Sequence, residues 1–215
     1  MFRTIFFVLI LFSYCFIENC SPDKSPAPSN KGTITFYFNH SVDDSILTLN
    51  KNGYINEAGN VFEVKNLEYF ISKMILKKAD GTTYDANTIH YINATDEASK
   101  AFKLDAIPPG NYVSLSFILG VDSTRNISGG LPNTIVNNDM EWPPSNGGGY
   151  HILRLEGHYN TSKAYSLHCG NTNMNTNYPH VHKLNQVHYS FPISLNSNND
   201  NLTCTIRFNI NMFIT

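Results

Sequence analysis

Charge is scarce in this 215-residue chain, and so are long apolar runs. Asp, Glu, Lys and Arg make up 15% of it, the formal net charge is -2, and no basic block occurs. The electrostatic footprint of a nucleic-acid binder is therefore missing. Beyond residue 17 no apolar run is long enough to span a membrane as a helix. The Gly-x-Ser-x-Gly elbow, the P-loop, the dinucleotide fingerprint, HExxH and CxxC are all missing as well. The carboxylate pairs Asp43-Asp44, Asp96-Glu97 and Asp139-x-Glu141 are sequence neighbours. Such neighbours read as solvated loops, not as a couple facing each other across a cleft. With neither a nucleophile nor an acid–base pair, the chain is not expected to be an enzyme.

What is present begins with the first twenty residues. Arg3 precedes an apolar run from Ile5 to Ile17, the physical form of a secretory signal. After Cys20 comes Ser21-Pro22-Asp23-Lys24-Ser25-Pro26-Ala27-Pro28-Ser29, a polar, Pro-rich tether. The pattern reads as a bacterial lipoprotein signal over 1–20 with Cys20 lipidated, a tether over 21–31 and a domain over 32–215. Cys15 is a weaker lipidation candidate, and an ordinary signal peptide cut near Cys20 is the alternative. Either way the domain is expected outside the cytoplasm. The lipoprotein reading adds a lipid anchor in the periplasm or at the outer membrane.

In that oxidising setting Cys169 and Cys204 most simply form a disulfide. Both share strand parity with apolar neighbours, Cys169 with Tyr165 and Leu167, and Cys204 with Leu202, Ile206 and Phe208. Service as soft metal ligands is the other reading.

Apolar residues alternate along the domain. Ile34, Phe36, Phe38 and His40 share one face, as do Val113, Leu115, Phe117 and Leu119, and Ile206, Phe208, Ile210 and Met212. Further strands are expected at 61–64, 67–78, 88–93, 150–157, 164–169 and 187–193, with 67–77 equally readable as a helix. Asn52-Gly53, Asp80-Gly81, Pro108-Pro109-Gly110 and Gly129-Gly130 punctuate them. The expected fold is all-β, an antiparallel β-sandwich or barrel-like domain with one long functional loop. That loop, 122–149, carries the single Trp, Trp142, among glycines and prolines. Within it Asp122 reads as a polar turn, with calcium as the alternative.

The eight histidines are the chemical signal, with five of them between 158 and 188. Neutral imidazole ligates copper and zinc well. His180 and His182 are two apart and would point the same way on a strand. His90 reads as structural.

Several stretches occur in a telling order: Phe36-Tyr37-Phe38-Asn39-His40; Phe62-Glu63-Val64 with Leu67-Glu68-Tyr69-Phe70-Ile71-Ser72; Ser116 to Ser123; Met140-Glu141-Trp142; Gly149-Tyr150; Leu155-Glu156-Gly157; and Leu167-His168-Cys169-Gly170. On these the chain resembles the MbnP-like copper-binding family, in particular its Bacteroidetes-type lipoprotein members. The resemblance covers about residues 32 to 213. It implies a β-rich extracytoplasmic copper binder acting in capture, buffering or delivery. In characterised relatives a Trp is oxidised to kynurenine by a di-haem partner enzyme related to MauG and joins His ligands at copper. Trp142 matches the first Trp of the family's Met-x-Trp-x-Trp motif, while Pro144 stands at the second. The kynurenine therefore carries over only if Trp142 is the modified residue. Ranked as ligands are His168 and His40, then Trp142 as ligand or lid, then His180 and His182, with Met140 and Met174 as soft auxiliaries. A surface lipoprotein that binds a protein or glycan through the long loop, without metal, is the competing expectation.

Overall fold

The computed structural model describes residues 31–160, 162–173, 182–183, 187–197 and 201–214, with the side chains of 172–173, 182–183 and 195–197 left aside. The signal, Cys20, most of the tether, Met174 and His180 lie outside the described residues, as does the side chain of His182.

The chain runs β1 (Gly32–Val42), β2 (Ser45–Ile46), β3 (Tyr54–Ile55), β4 (Val61–Lys78), β5 (Thr83–Asp85), β6 (Ile89–Asn93), β7 (Ala101–Ile107), β8 (Gly110–Leu119), α1 (Ile135–Asp139), β9 (Leu153–Tyr159), β10 (Lys163–Cys169), β11 (Thr172–Asn173), β12 (His182–Lys183), β13 (Val187–Ser197) and β14 (Asn201–Asn209). One sheet has β1 between β14 and β7. The other orders β10-β9-β4-β8-β13, with β3, β5 and β6 also paired to β4. The result is an all-β sandwich. It is not wholly antiparallel, since β14 runs parallel to β1, with Phe36 opposite Cys204. Among the described residues no helix is long and apolar enough to cross a membrane.

Alternation in β1 holds as expected: Ile34, Phe36, Phe38 and His40 are buried while Tyr37 and Asn39 are exposed. The 67–77 ambiguity resolves as strand. β4 buries six consecutive residues, Leu67 to Ser72, because both of its faces are covered. Its inner face joins the main core, and Phe70 on the outer face packs with Met140 of the long loop and with Val121 and Tyr150 at the loop's two ends.

Two parity expectations fail for local reasons. Val113 is 39% exposed and Tyr112 takes the core position instead. The register slips there, with Lys77 opposite Ser114 and Lys78 opposite Tyr112, and such an irregularity flips the face of the residues beyond it. Met212 is 75% exposed, because β14 ends at Asn209. The Asn209 side chain accepts from the Asn211 amide and turns the chain into a short 3-10 turn over 210–213.

The expected disulfide is also absent. Cys169 ends an edge strand of one sheet and Cys204 lies on an edge strand of the other, and both are free thiols. Each packs half-buried against the main core, as its parity implied, but not against the other sulfur. Burial pushes both thiols above their ordinary pKa, which keeps them protonated and slow to react.

Candidate metal centre

The long loop is built around Trp142. Two backbone pairings close its base: Glu141 bridges Tyr150, and the Trp142 amide donates to Gly149 O at 2.8 Å. Between them Gly147, Gly148 and Gly149 all adopt positive φ, at 125°, 66° and 84°. Side chains with a Cβ rarely take that region, so the Gly run is what lets the loop turn back so tightly. Asn126 Oδ1 accepts from the Tyr150 amide at 2.8 Å, and Asn126 Nδ2 donates to Asn171 Oδ1 at 3.1 Å. Asn171 Nδ2 in turn donates to Gly148 O at 3.0 Å. These two buried amides spend their hydrogen bonds on the loop backbone, as buried polar groups must.

The indole rests in this cradle. Its Nε1–H donates to Asn171 O at 2.8 Å and to Asn146 O at 3.1 Å. Gly170 lies under its face: a Cβ there would fall 2.2 Å from Trp142 Cδ2. Gly170→Ala should expel the ring, red-shift the emission of this single Trp and destabilise the domain by about 1–3 kcal/mol, the usual cost of overpacking. Unchanged emission and melting would show that the indole does not need the glycine.

Two histidines meet the indole. His151 stacks edge-on against Trp142 with ring centroids 4.8 Å apart, and His168 packs edge-on against His151 at 5.2 Å. His151 is 7% exposed and His168 lies at the surface end of β10. His151 Nδ1 is 3.1 Å from Met140 O, and His168 Nε2 is 2.7 Å from Glu156 Oε1. A carbonyl only accepts, so the His151 proton sits on Nδ1 and leaves a lone pair on Nε2. Glu156 is a carboxylate, so His168 donates to it through Nε2, which turns Nδ1 away from that bond. This is how metal-ligating imidazoles are commonly prepared, with one nitrogen tied to an acceptor and the other free.

Burial lowers the His151 pKa, against a smaller opposing pull from its bond to Met140 O. Burial pushes the Glu156 carboxyl up, but the hydrogen bond and charge of His168 with the charge of Arg154 bring it below its ordinary value. At neutral pH His151 is thus uncharged and Glu156 ionised, the states a ligand and its supporting acceptor require.

Trp142 and His168, but not His151, line a cavity of about 600 Å³ together with Asn171 and the apolar Leu119, Ile152 and Phe213. Its size is that of a small-molecule or ion-access cleft.

The structure joins His168 with Trp142, as the sequence ranks them, but the second histidine is His151, which sequence reasoning misses. His151 directly follows the Gly149-Tyr150 pair, and that adjacency is the available signal. His40 lies elsewhere. Its Nε2 is 2.9 Å from the Tyr69 hydroxyl, its ring packs edge-on against Tyr69 and Phe208, and the cavity it lines shares no residue with the one beneath Trp142. Its apolar parity places it in the core, and the core is where it is satisfied.

Of the 158–188 cluster, two other described histidines lie away from the site. His158 pairs with Glu63 at 2.7 Å, and His188 is exposed on β13. His90 is structural, stacked on Phe102 and 2.6 Å from Ser99 O. Met140 is fully buried in the second core, and its carbonyl rather than its thioether serves the site. The Asp122 carboxylate is taken up by Thr124 and Arg125, a polar turn. Among the described residues no cluster of three or more His, Cys, Asp or Glu is placed to hold a metal. The candidate centre is therefore a two-imidazole site walled by an indole.

The family model for MbnP matches residues 31–215, all of the chain beyond its first thirty residues. The chain belongs to the MbnP family. A solved structure described as MbnP from Methylosinus trichosporium superposes with a TM-score of 0.53 at 12% identity, covering 78% of this chain and 72% of that one. At that identity the likeness is one of fold. Among curated proteins no relative matches. The match to MbnP spans β1 through β14, so the loop carrying Trp142 and the strand carrying His168 both fall inside it.

Proposed function

We propose that this MbnP-family chain binds copper as cargo between His151 Nε2 and His168 Nδ1, with Trp142 as the wall of the site. The observation that supports it is the pair of imidazoles at 5.2 Å, each with one nitrogen engaged by an acceptor and the other without a hydrogen-bond partner among the described residues. The donor set suits the ion. Metal–imidazole bonds of about 2.0 Å place two rings sharing one ion within about 6 Å of each other. Among divalent ions copper binds nitrogen sites most tightly.

An intact indole offers a donor N–H and no lone pair, so Trp142 excludes water rather than ligating. The proposed site needs neither a kynurenine at 142 nor a di-haem partner to make one. Exported and held by a lipid on Cys20, such a protein would capture, buffer or hand on copper in the periplasm or at the outer membrane. A shallow surface position for His168 suits loading and release.

Copper titration of residues 21–215, followed by Trp142 emission and by bound metal after desalting, tests the reading. One copper retained per chain with quenched emission is expected. No retained copper, together with emission that ignores copper, would overturn it. That result would favour the loop as a docking surface for protein or glycan, where Ile127 and Ile135 stand 60% and 90% exposed.

A further inference from the structure

We infer that Arg154 is a positioning residue for this site, the strut that ties the His151 acceptor to the sheet. The inference rests on the copper reading above. Arg154 sits on β9, directly across the ladder from His168, and its side chain is 18% exposed. On the sheet side its guanidinium meets Glu68 at 3.3 Å. Glu68 is itself fixed: it accepts from Tyr91 Oη at 2.7 Å and from Asn66 and Asn93 Nδ2 at 3.1 Å each. On the loop side the same Arg154 nitrogen donates to Asp139 Oδ2 at 2.5 Å, touches Asp139 O at 3.5 Å and lies 3.9 Å from Met140 Sδ.

Asp139 closes α1, and the next residue, Met140, supplies the one carbonyl that accepts both the amide and Nδ1 of His151, at 2.8 and 3.1 Å. The chain of contacts is thus Glu68, Arg154, Asp139-Met140, His151. α1 buries none of its own residues, so its C-terminal end is held by the buried Met140 that follows it and by the tie from Asp139 to Arg154. A fixed cation there also favours the exposed carbonyls of a helix terminus. Arg154 Nε is buried without a partner among the described residues. The side chain is thus committed to this strut although not all of its donors are satisfied there. Both ties run through one guanidinium nitrogen, so a lysine keeps the charge but must bring it to that point on a flexible stem without the planar group that fixes it.

The test uses Arg154→Met, Arg154→Lys and Asp139→Asn in the full mature chain. Asp139 is 63% exposed at its side chain, so its variant takes the charge out of the loop-side tie, leaving a neutral acceptor, without touching the core. Copper affinity is measured by competition titration. The protonation pattern of His151 is read separately by nitrogen NMR of the metal-free protein. Outer partners of metal ligands typically contribute 10–100-fold in affinity. Arg154→Met is expected to fall in that range, with Arg154→Lys between it and wild type and Asp139→Asn several-fold weaker. In the metal-free NMR, His151 should pass from a single Nδ1–H form to a mixture in Arg154→Met. Folded variants with wild-type affinity and an unchanged His151 tautomer would overturn the inference. If the wild type binds no copper, the copper reading falls and the tautomer measurement alone decides the role of Arg154.

Discussion

His151→Ala and His168→Ala should each weaken copper binding by more than about 100-fold, since even outer partners of a ligand contribute 10–100-fold. His40→Gln should leave binding unchanged. The contrast is sharp because His40 and His168 rank together by sequence, while the structure pairs His168 with His151. Removing His151 leaves one imidazole and an indole that cannot ligate. Removing His168 leaves a buried ring with its lone pair facing an empty wall. Glu156→Gln is a milder cut: the amide can still accept from His168 Nε2, but without charge, and a loss of about 10-fold fits that role. Competition titration against a chelator of known affinity ranks all four. Equal affinities for His151→Ala and wild type would move the site elsewhere, whereas a large loss in His40→Gln would return His40 to the ligand set.

The second large effect concerns acid. Burial, reinforced by the charge of Lys100 and opposed by that of Glu97, lowers the His40 pKa from 6.5 to about 4. Its ring is 6% exposed and bonded to Tyr69, whose own hydroxyl is held well above its ordinary pKa by burial. Above pH 6.5 the ring is neutral whether the chain is folded or not, and its contribution is fully present. Between pH 6.5 and 4 the unfolded chain takes a proton that the folded chain refuses. Stability therefore falls as the pH falls, by about 3 kcal/mol over the whole window. For a domain of this size that is a drop of roughly 10 °C in melting temperature.

His40→Gln keeps a hydrogen-bonding partner for Tyr69 and removes the titration. Melting curves from pH 7 to 4 should fall more gently in the variant than in the wild type. Carboxylates whose pKa is lowered, such as Glu63 and Asp122, lose their contributions at lower pH in both proteins, so the difference between the curves isolates His40. Parallel curves would mean that His40 is solvated or already paired differently.

The two histidines also show where sequence ends and tertiary structure begins. Strand parity places His40 on the buried face of β1, correctly, but parity says nothing about which strand lies opposite. The partner is Tyr69 on β4. β1 is readable because only one of its faces is buried. β4 is not, because the long loop covers its outer face at Phe70 and erases the alternation that separates strand from helix. The Tyr112–Val113 slip is hidden for a related reason: a register irregularity depends on the partner strand. Leu167-His168-Cys169-Gly170 and Met140-Glu141-Trp142 are legible as pieces, and the fold does bring them together. Gly170 lies under Trp142, and the Met140 carbonyl holds His151. His151 itself falls in the expected strand 150–157, but β9 begins only at Leu153, and its role comes from a ring contact formed only when β10 pairs with β9.

The most direct measurement is X-ray absorption at the copper edge of the loaded chain, beside His151→Ala/His168→Ala. The account predicts two imidazole nitrogens at about 2.0 Å in the wild type and no retained copper in the double variant. Copper held with the same spectrum in the double variant would contradict it.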